Sequence, residues 1–132
     1  MKSYTDIEQS EKLAEILPLE SADIILILEG KSELTSYPII RNYSEFYNYL
    51  RKFELGDEYI KHMYIPAWSL AALLSVLPNK LQIALAINDF QGGRKEKYAI
   101  GSVEHDKYDC FADNPVDACY EIIIRLHELN LL

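Results

Sequence analysis

Toward the C-terminal end of the chain, Cys119, Ile122, Ile123, Leu126 and Leu129 recur at three- and four-residue steps, the period of a helix with one face in a core. Asn114 can cap this helix, Pro115 suits its first turn, and Asp117 stands where a carboxylate can bond back to the cap. A second amphipathic pattern covers residues 7–17, with apolar Ile7, Leu13, Ala14, Ile16 and Leu17 between acids. Thr5 or Asp6 is its expected cap and Pro18 its stop. Ser44 precedes a third pattern that puts Phe46, Tyr49, Leu50 and Phe53 on one face and ends at Gly56. In the segment from Pro66 to Leu77 only Ser69 and Ser75 are polar, which predicts a helix apolar all round, buried or at an oligomer interface.

Period-two patterns mark strands. Ile24 to Leu28 is an apolar run of strand length followed by the turn Glu29-Gly30-Lys31-Ser32. Leu81, Ile83, Leu85 and Ile87 alternate with Gln82, Ala84, Ala86 and Asn88, as in a strand with one buried face. A turn at Gln91-Gly92-Gly93-Arg94 leads to strands at Tyr98–Val103 and Tyr108–Ala112, joined by polar residues 104–107. The expected fold is therefore α+β: one small antiparallel sheet, a meander, packed with about four helices in a single domain over residues 1–132.

With 132 residues, 49% hydrophobic and 26% charged, the chain has the size and composition of a folded domain. Two cysteines, Cys110 and Cys119, allow one disulfide but not a disulfide scaffold, which fits a reduced cytoplasm. The N-terminus carries no apolar run of a signal peptide. The longest uncharged run, Met63 to Asn79, is interrupted by Pro66 and Pro78 and falls short of the roughly 20 apolar residues a membrane helix needs. The net charge of −8 sits at the ends: −5 over residues 1–33, +2 over 34–103 and −5 over 104–132. Such a field repels phosphate backbones, so a nucleic-acid partner is disfavoured and no membrane partner is expected.

Three stretches resemble a known family: Glu8-Gln9-Ser10-Glu11-Lys12-Leu13-Ala14 with Glu20-Ser21-Ala22-Asp23, Ile65-Pro66-Ala67-Trp68-Ser69-Leu70-Ala71-Ala72-Leu73-Leu74, and Asn114-Pro115-Val116-Asp117-Ala118-Cys119 followed by Leu126-His127-Glu128-Leu129. In order and spacing they are similar to small uncharacterised proteins of gut Bacteroidetes and of the phages and mobile elements these bacteria carry. The resemblance implies a phage-linked, intracellular setting and supplies no activity, cofactor or catalytic residue.

Candidate chemistry is sparse. His105, Asp106, Asp109 and Cys110 combine imidazole, carboxylate and thiol around a predicted turn and could centre a small metal-dependent hydrolase. A regular strand would, however, send Asp109 and Cys110 to opposite faces. Cys119 and His127 share a helix but stand about 12 Å apart along it and roughly 80° apart around it, so they cannot form a nucleophile–base pair. Pairing either cysteine with His62 or His105 would depend on tertiary structure. Gln91-Gly92-Gly93-Arg94-Lys95 places two glycines beside two cations, a loop able to hold a phosphate, but it lacks the Gly-Lys-Ser/Thr ending of a P-loop.

The compositional excess is tyrosine, ten in all, six of them between Tyr37 and Tyr64. Tyrosine can bury its ring and keep a hydrogen bond, which suits interfaces as well as shallow core edges. The expectation is a non-enzymatic accessory protein acting through protein–protein interaction or self-association, with Tyr47, Tyr49, Tyr64 and Trp68 as contacts. No catalytic residue, metal site or cofactor is expected. A further alternative is an acidic nucleic-acid mimic that blocks a host DNA-binding protein.

Overall fold

The computed structural model describes residues 2–29, 33–38, 43–53, 56–88 and 95–132. The chain divides into two compact units, Tyr4–Ala72 and Met1–Ser3 with Leu73–Leu132, and each is built on its own three-stranded antiparallel sheet. The α+β class holds. The expected meander is one of two sheets, because a second one forms from segments that lack a clear two-residue period.

In the Tyr4–Ala72 unit, α1 (Ile7–Ala14) is capped by Asp6, whose carboxylate accepts the Gln9 amide at 2.8 Å while the Gln9 side chain accepts the Asp6 amide. Thr5 is no cap. It is buried, exchanges a hydroxyl hydrogen bond with Ser10 and accepts the Trp68 amide at 3.1 Å. The sheet has the order β2-β1-β3, from β1 (Ile24–Glu29), β2 (Glu33–Pro38) and β3 (Tyr64–Ala67). As the central strand, β1 is covered on both faces, so consecutive Ile25 and Leu26 are both buried and the run shows no alternation. Leu26, Ile65 and Ala67 form a core against which Tyr4, Ile7 and Ile24 pack.

Between these strands lie α2 (Tyr43–Arg51) and α3 (Asp57–Met63). Gly56 does not close α2 but stands at the N-cap of α3, a helix the apolar pattern did not announce. The helix expected from Pro66 to Leu77 is corrected to α4, Leu70–Ser75. Proline disfavours helical geometry in the residue before it and, having no amide, is tolerated on an edge strand. Pro66 accordingly sits in β3, opposite Ile25. Nor is α4 buried all round: Ala72 and Leu73 are buried, whereas Ala71, Leu74 and Ser75 are exposed.

In the other unit, β4 (Ile83–Ile87), β5 (Tyr98–Ser102) and β6 (Cys110–Ala112) make the expected meander, with β5 in the centre. Leu81 belongs to a 3-10 turn and Gln82 takes φ 50°, so β4 starts two residues later than the alternation suggests. Tyr108 lies in another 3-10 turn, and β6 is short. Gly101 is required by a close approach: a Cβ there would stand 2.0 Å from the Asp109 carboxylate and 3.1 Å from its Cα.

The closing helix α5 (Pro115–Glu128) follows the expected cap, in modified form. Asn114 accepts the Asp117 amide at 2.9 Å, but the Asp117 carboxylate answers the Asn114 side-chain amide at 2.7 Å and also holds Lys2 at 2.8 Å. Val116, Cys119, Ile122, Ile123 and Leu126 are all within 1% of full burial. Burying each such side chain contributes about 1.5–3 kcal/mol for the larger aliphatics. Leu129 leaves the stripe at 50% exposure. Asn130 turns left-handed at φ 57°, with Leu131 bonding back to Leu126 and Asn130 to His127, and this paired cap ends the helix before another apolar turn is made.

Candidate functional site

In the Tyr4–Ala72 unit, three helical or turn segments and β3 surround a cleft of about 680 Å³, lined by Ser10, Glu11, Ala14, Leu19, Tyr43, Tyr47, Asn48, Ile65 and Pro66. Helical spacing puts Ser10, Glu11 and Ala14 on one side of α1, and Tyr43, Tyr47 and Asn48 on one side of α2. Ala14, Leu19, Ile65 and Pro66 supply apolar surface. The polar groups stand around it, the combination found in binding pockets.

The tyrosines of the wall are held, not loose. Tyr43 is 4% exposed and donates its hydroxyl to the Tyr64 carbonyl at 2.6 Å. Burial, reinforced by Tyr47, pushes the Tyr43 hydroxyl up to about 12. Its ring centroid lies 6.5 Å from that of Tyr47, and Phe46 packs on Tyr64 at 5.8 Å. Desolvation and then the neighbouring Asp57 carboxylate raise the Tyr47 hydroxyl above its ordinary value. Both tyrosines are therefore neutral hydrogen-bonding groups on an apolar wall. Ser10, with its oxygen in the Thr5 hydrogen bond, is not poised as a nucleophile.

Farther along α2, Tyr49 and the following Phe53 meet edge to face at 5.1 Å while remaining 55% and 60% exposed. Tyr59 on α3 is also exposed. Of the four residues anticipated as contacts, Tyr49 lies on the surface and Tyr47 in the cleft wall. Tyr64 is half-buried, with its carbonyl occupied by Tyr43. Trp68 requires correction: it is fully buried, and its indole N–H donates to Ser21 Oγ at 2.9 Å, so it is a core residue with no surface to offer.

Among the described residues, His105, Asp109 and Cys110 do not assemble into the alternative centre. His105 is exposed and stacks edge-on against Tyr108, whereas Cys110 is buried with its thiol directed to the Tyr108 carbonyl. The Asp109 carboxylate lies against Gly101 and close to Cys110. Burial pushes the Cys110 thiol up despite the opposing Arg125 charge, and Glu121 and Asp109 add to the rise. Among the described residues, no three His, Cys, Asp or Glu side chains converge to hold a metal; the Asp106 side chain lies outside them. Cys119 is fully buried and its thiol is pushed up to about 12, the opposite of an activated nucleophile. Both cysteines are unpaired by disulfide. Gln91–Arg94 and the His62 side chain also lie outside the described residues, and Lys95 is exposed.

Tyr43 and Tyr47 stand four residues apart, but reading Ser44 as the cap left Tyr43 outside a helix that already includes it. Nothing in the sequence placed Ala14, Leu19, Ile65 and Pro66 opposite them, since those positions meet only through the packing around β3. Among the described residues, no helix is long and apolar enough to cross a membrane. Comparison with family models, with curated proteins and with solved structures gives no match.

Proposed function

We propose that this chain is a non-enzymatic accessory protein that binds a protein partner through the tyrosine-walled cleft and the neighbouring Tyr49–Phe53 pair. The observation that carries this reading is the cleft itself, with volume for one or two large side chains, together with the exposed pair that Tyr49 of α2 makes with Phe53 just past the end of that helix. Aromatic anchors beside a pocket are the usual energetic centre of a protein interface. Tyr47 stays protonated across the neutral range and offers ring surface without a charge to desolvate, while the buried Tyr43 holds the wall in place through its hydrogen bond to the Tyr64 carbonyl. The setting in a phage or mobile element rests on the sequence resemblance alone, and a cytoplasmic location accompanies it in this proposal.

The test is differential capture. Ala14→Trp would fill the cleft, and the double change Tyr49→Ala, Phe53→Ala would strip the exposed pair without touching buried positions. Wild-type protein should retain from a Bacteroidetes lysate a partner that both variants lose by tenfold or more, at unchanged circular dichroism. Identical retention by all three proteins, or no partner for the wild type, refutes the proposal.

A further inference from the structure

The second surface of interest lies in the other unit. Strand β4 is at the edge of the order β4-β5-β6, and its hydrogen-bond parity is settled at both ends. Val103 donates to the Gln82 carbonyl and the Asn88 amide to the Lys97 carbonyl, which continues the β4–β5 register on either side of the strand. Backbone groups of an antiparallel strand alternate in direction. Gln82, Ala84, Ala86 and Asn88 therefore turn their peptide groups toward β5, while Ile83, Leu85 and Ile87 turn theirs to the open edge. Among the described residues, no strand pairs with that edge.

Open edges of natural sheets are ordinarily protected by lysine, proline, a bulge or a covering element. Here the strand reads Ile83-Ala84-Leu85-Ala86-Ile87, with no charge and no proline. Ala84 and Ala86 are exposed, and Ile87 is 71% exposed. The five residues also form a palindrome. Antiparallel pairing of two copies about Leu85 sets Ile83 opposite the second copy's Ile87, Ala84 opposite Ala86, and Leu85 opposite Leu85. In this register each outward amide meets an outward carbonyl. A one-residue slip would oppose outward groups to groups already bonded to β5, and a two-residue slip would lose part of the ladder at Gln82 or Asn88.

We propose that β4 is a self-association edge through which two copies of this chain join their three-stranded sheets into one continuous six-stranded sheet. The occupant is a second copy because the edge is complementary to itself in side chain and in hydrogen-bond direction. Pairing would bring each exposed Ile87 beside Ile83 of the other copy, on the face that Ile100 of β5 turns toward the core. The contact is small, so its affinity belongs to the weak end of specific interfaces.

The experiment is sedimentation or light scattering of the full chain from low micromolar to near-millimolar concentration, with two variants that keep the exposed positions exposed. Ala84→Lys with Ala86→Lys sets lysine against lysine across the two-fold axis, whereas Ala84→Lys with Ala86→Glu sets lysine against glutamate. The wild type should dimerise with concentration. The Lys/Lys variant should have a dimer dissociation constant about tenfold or more above that of the Lys/Glu variant. A wild type that stays monomeric throughout overturns the proposal, as does equal dimerisation of the two variants. Neither change touches the cleft, so partner capture and self-association fail or succeed separately.

Discussion

Replacing Ser69 with alanine probes the contact that ties the start of α4 to the strand side of its unit. Asp23, just before β1, accepts the Ser69 amide at 2.8 Å and also the Ser69 hydroxyl, and that hydroxyl oxygen in turn accepts the Ala72 amide at 3.3 Å. One residue thus serves as helix cap and as anchor for a carboxylate. A hydrogen bond to a charged group is worth about 1.5–3 kcal/mol and an N-cap about 1 kcal/mol. Asp23 keeps the Ser69 amide in the variant, and both side chains are only partly buried, so the expected loss is about 2 kcal/mol. Urea unfolding followed by the fluorescence of Trp68, the single tryptophan, reports on the adjoining residue in the core. The midpoint should fall with the slope unchanged. A cycle with Asp23→Ala should show a coupling of about 1–2 kcal/mol between the two positions. A loss below about 0.5 kcal/mol, or strict additivity, would refute the assignment of this pair as a structural anchor.

Two further outcomes follow from buried groups in the second unit and from the cleft wall. Gly101→Ala should destabilise by about 1–3 kcal/mol, because the added methyl meets Asp109 at its carboxylate and its Cα; a thermal midpoint equal to that of wild type would contradict this. Stability should also fall at alkaline pH. The Cys119 thiol ionises near its ordinary 9.0 in the unfolded chain but only near about 12 when folded, so the unfolded state holds fewer protons between those values. The stabilisation is complete below pH 9 and is lost as pH rises toward 12, with a slope approaching about 1.4 kcal/mol per pH unit. Tyr43 adds the same sign of change between 10.0 and about 12. Cys119→Ala should reduce the decline that begins near pH 9, leaving the share of the same sign that the raised Cys110 thiol contributes, as measured by urea midpoints across the alkaline range.

The features legible in the sequence were those in which one local mechanism acts alone. Asn114, Pro115 and the stripe of Cys119, Ile122, Ile123 and Leu126 determine α5 because cap, proline and apolar period agree on one element. The meander of β4, β5 and β6 was visible because alternating or short apolar runs lie between turn residues. Even there the ends escaped, since the left-handed turns at Gln82 and Asn130 depend on where the chain next finds a hydrogen-bond partner.

Tertiary structure decided the cases where two readings competed. The segment around Pro66 has helical composition, yet the free backbone groups of β1 recruited Tyr64–Ala67 as a ladder and left only Leu70–Ser75 to coil. Trp68 has the chemistry of an interface anchor, but Ser21 takes its N–H and the core encloses its ring. The cleft joins residues from α1, Leu19, α2 and β3, a grouping that no sequence period encodes. By itself, then, the sequence determined which segments would be helices or strands wherever local hydrogen bonding and side-chain period agreed. Only tertiary packing decided which aromatic rings remain at the surface, because exposure depends on what folds over a residue and not on the residue itself.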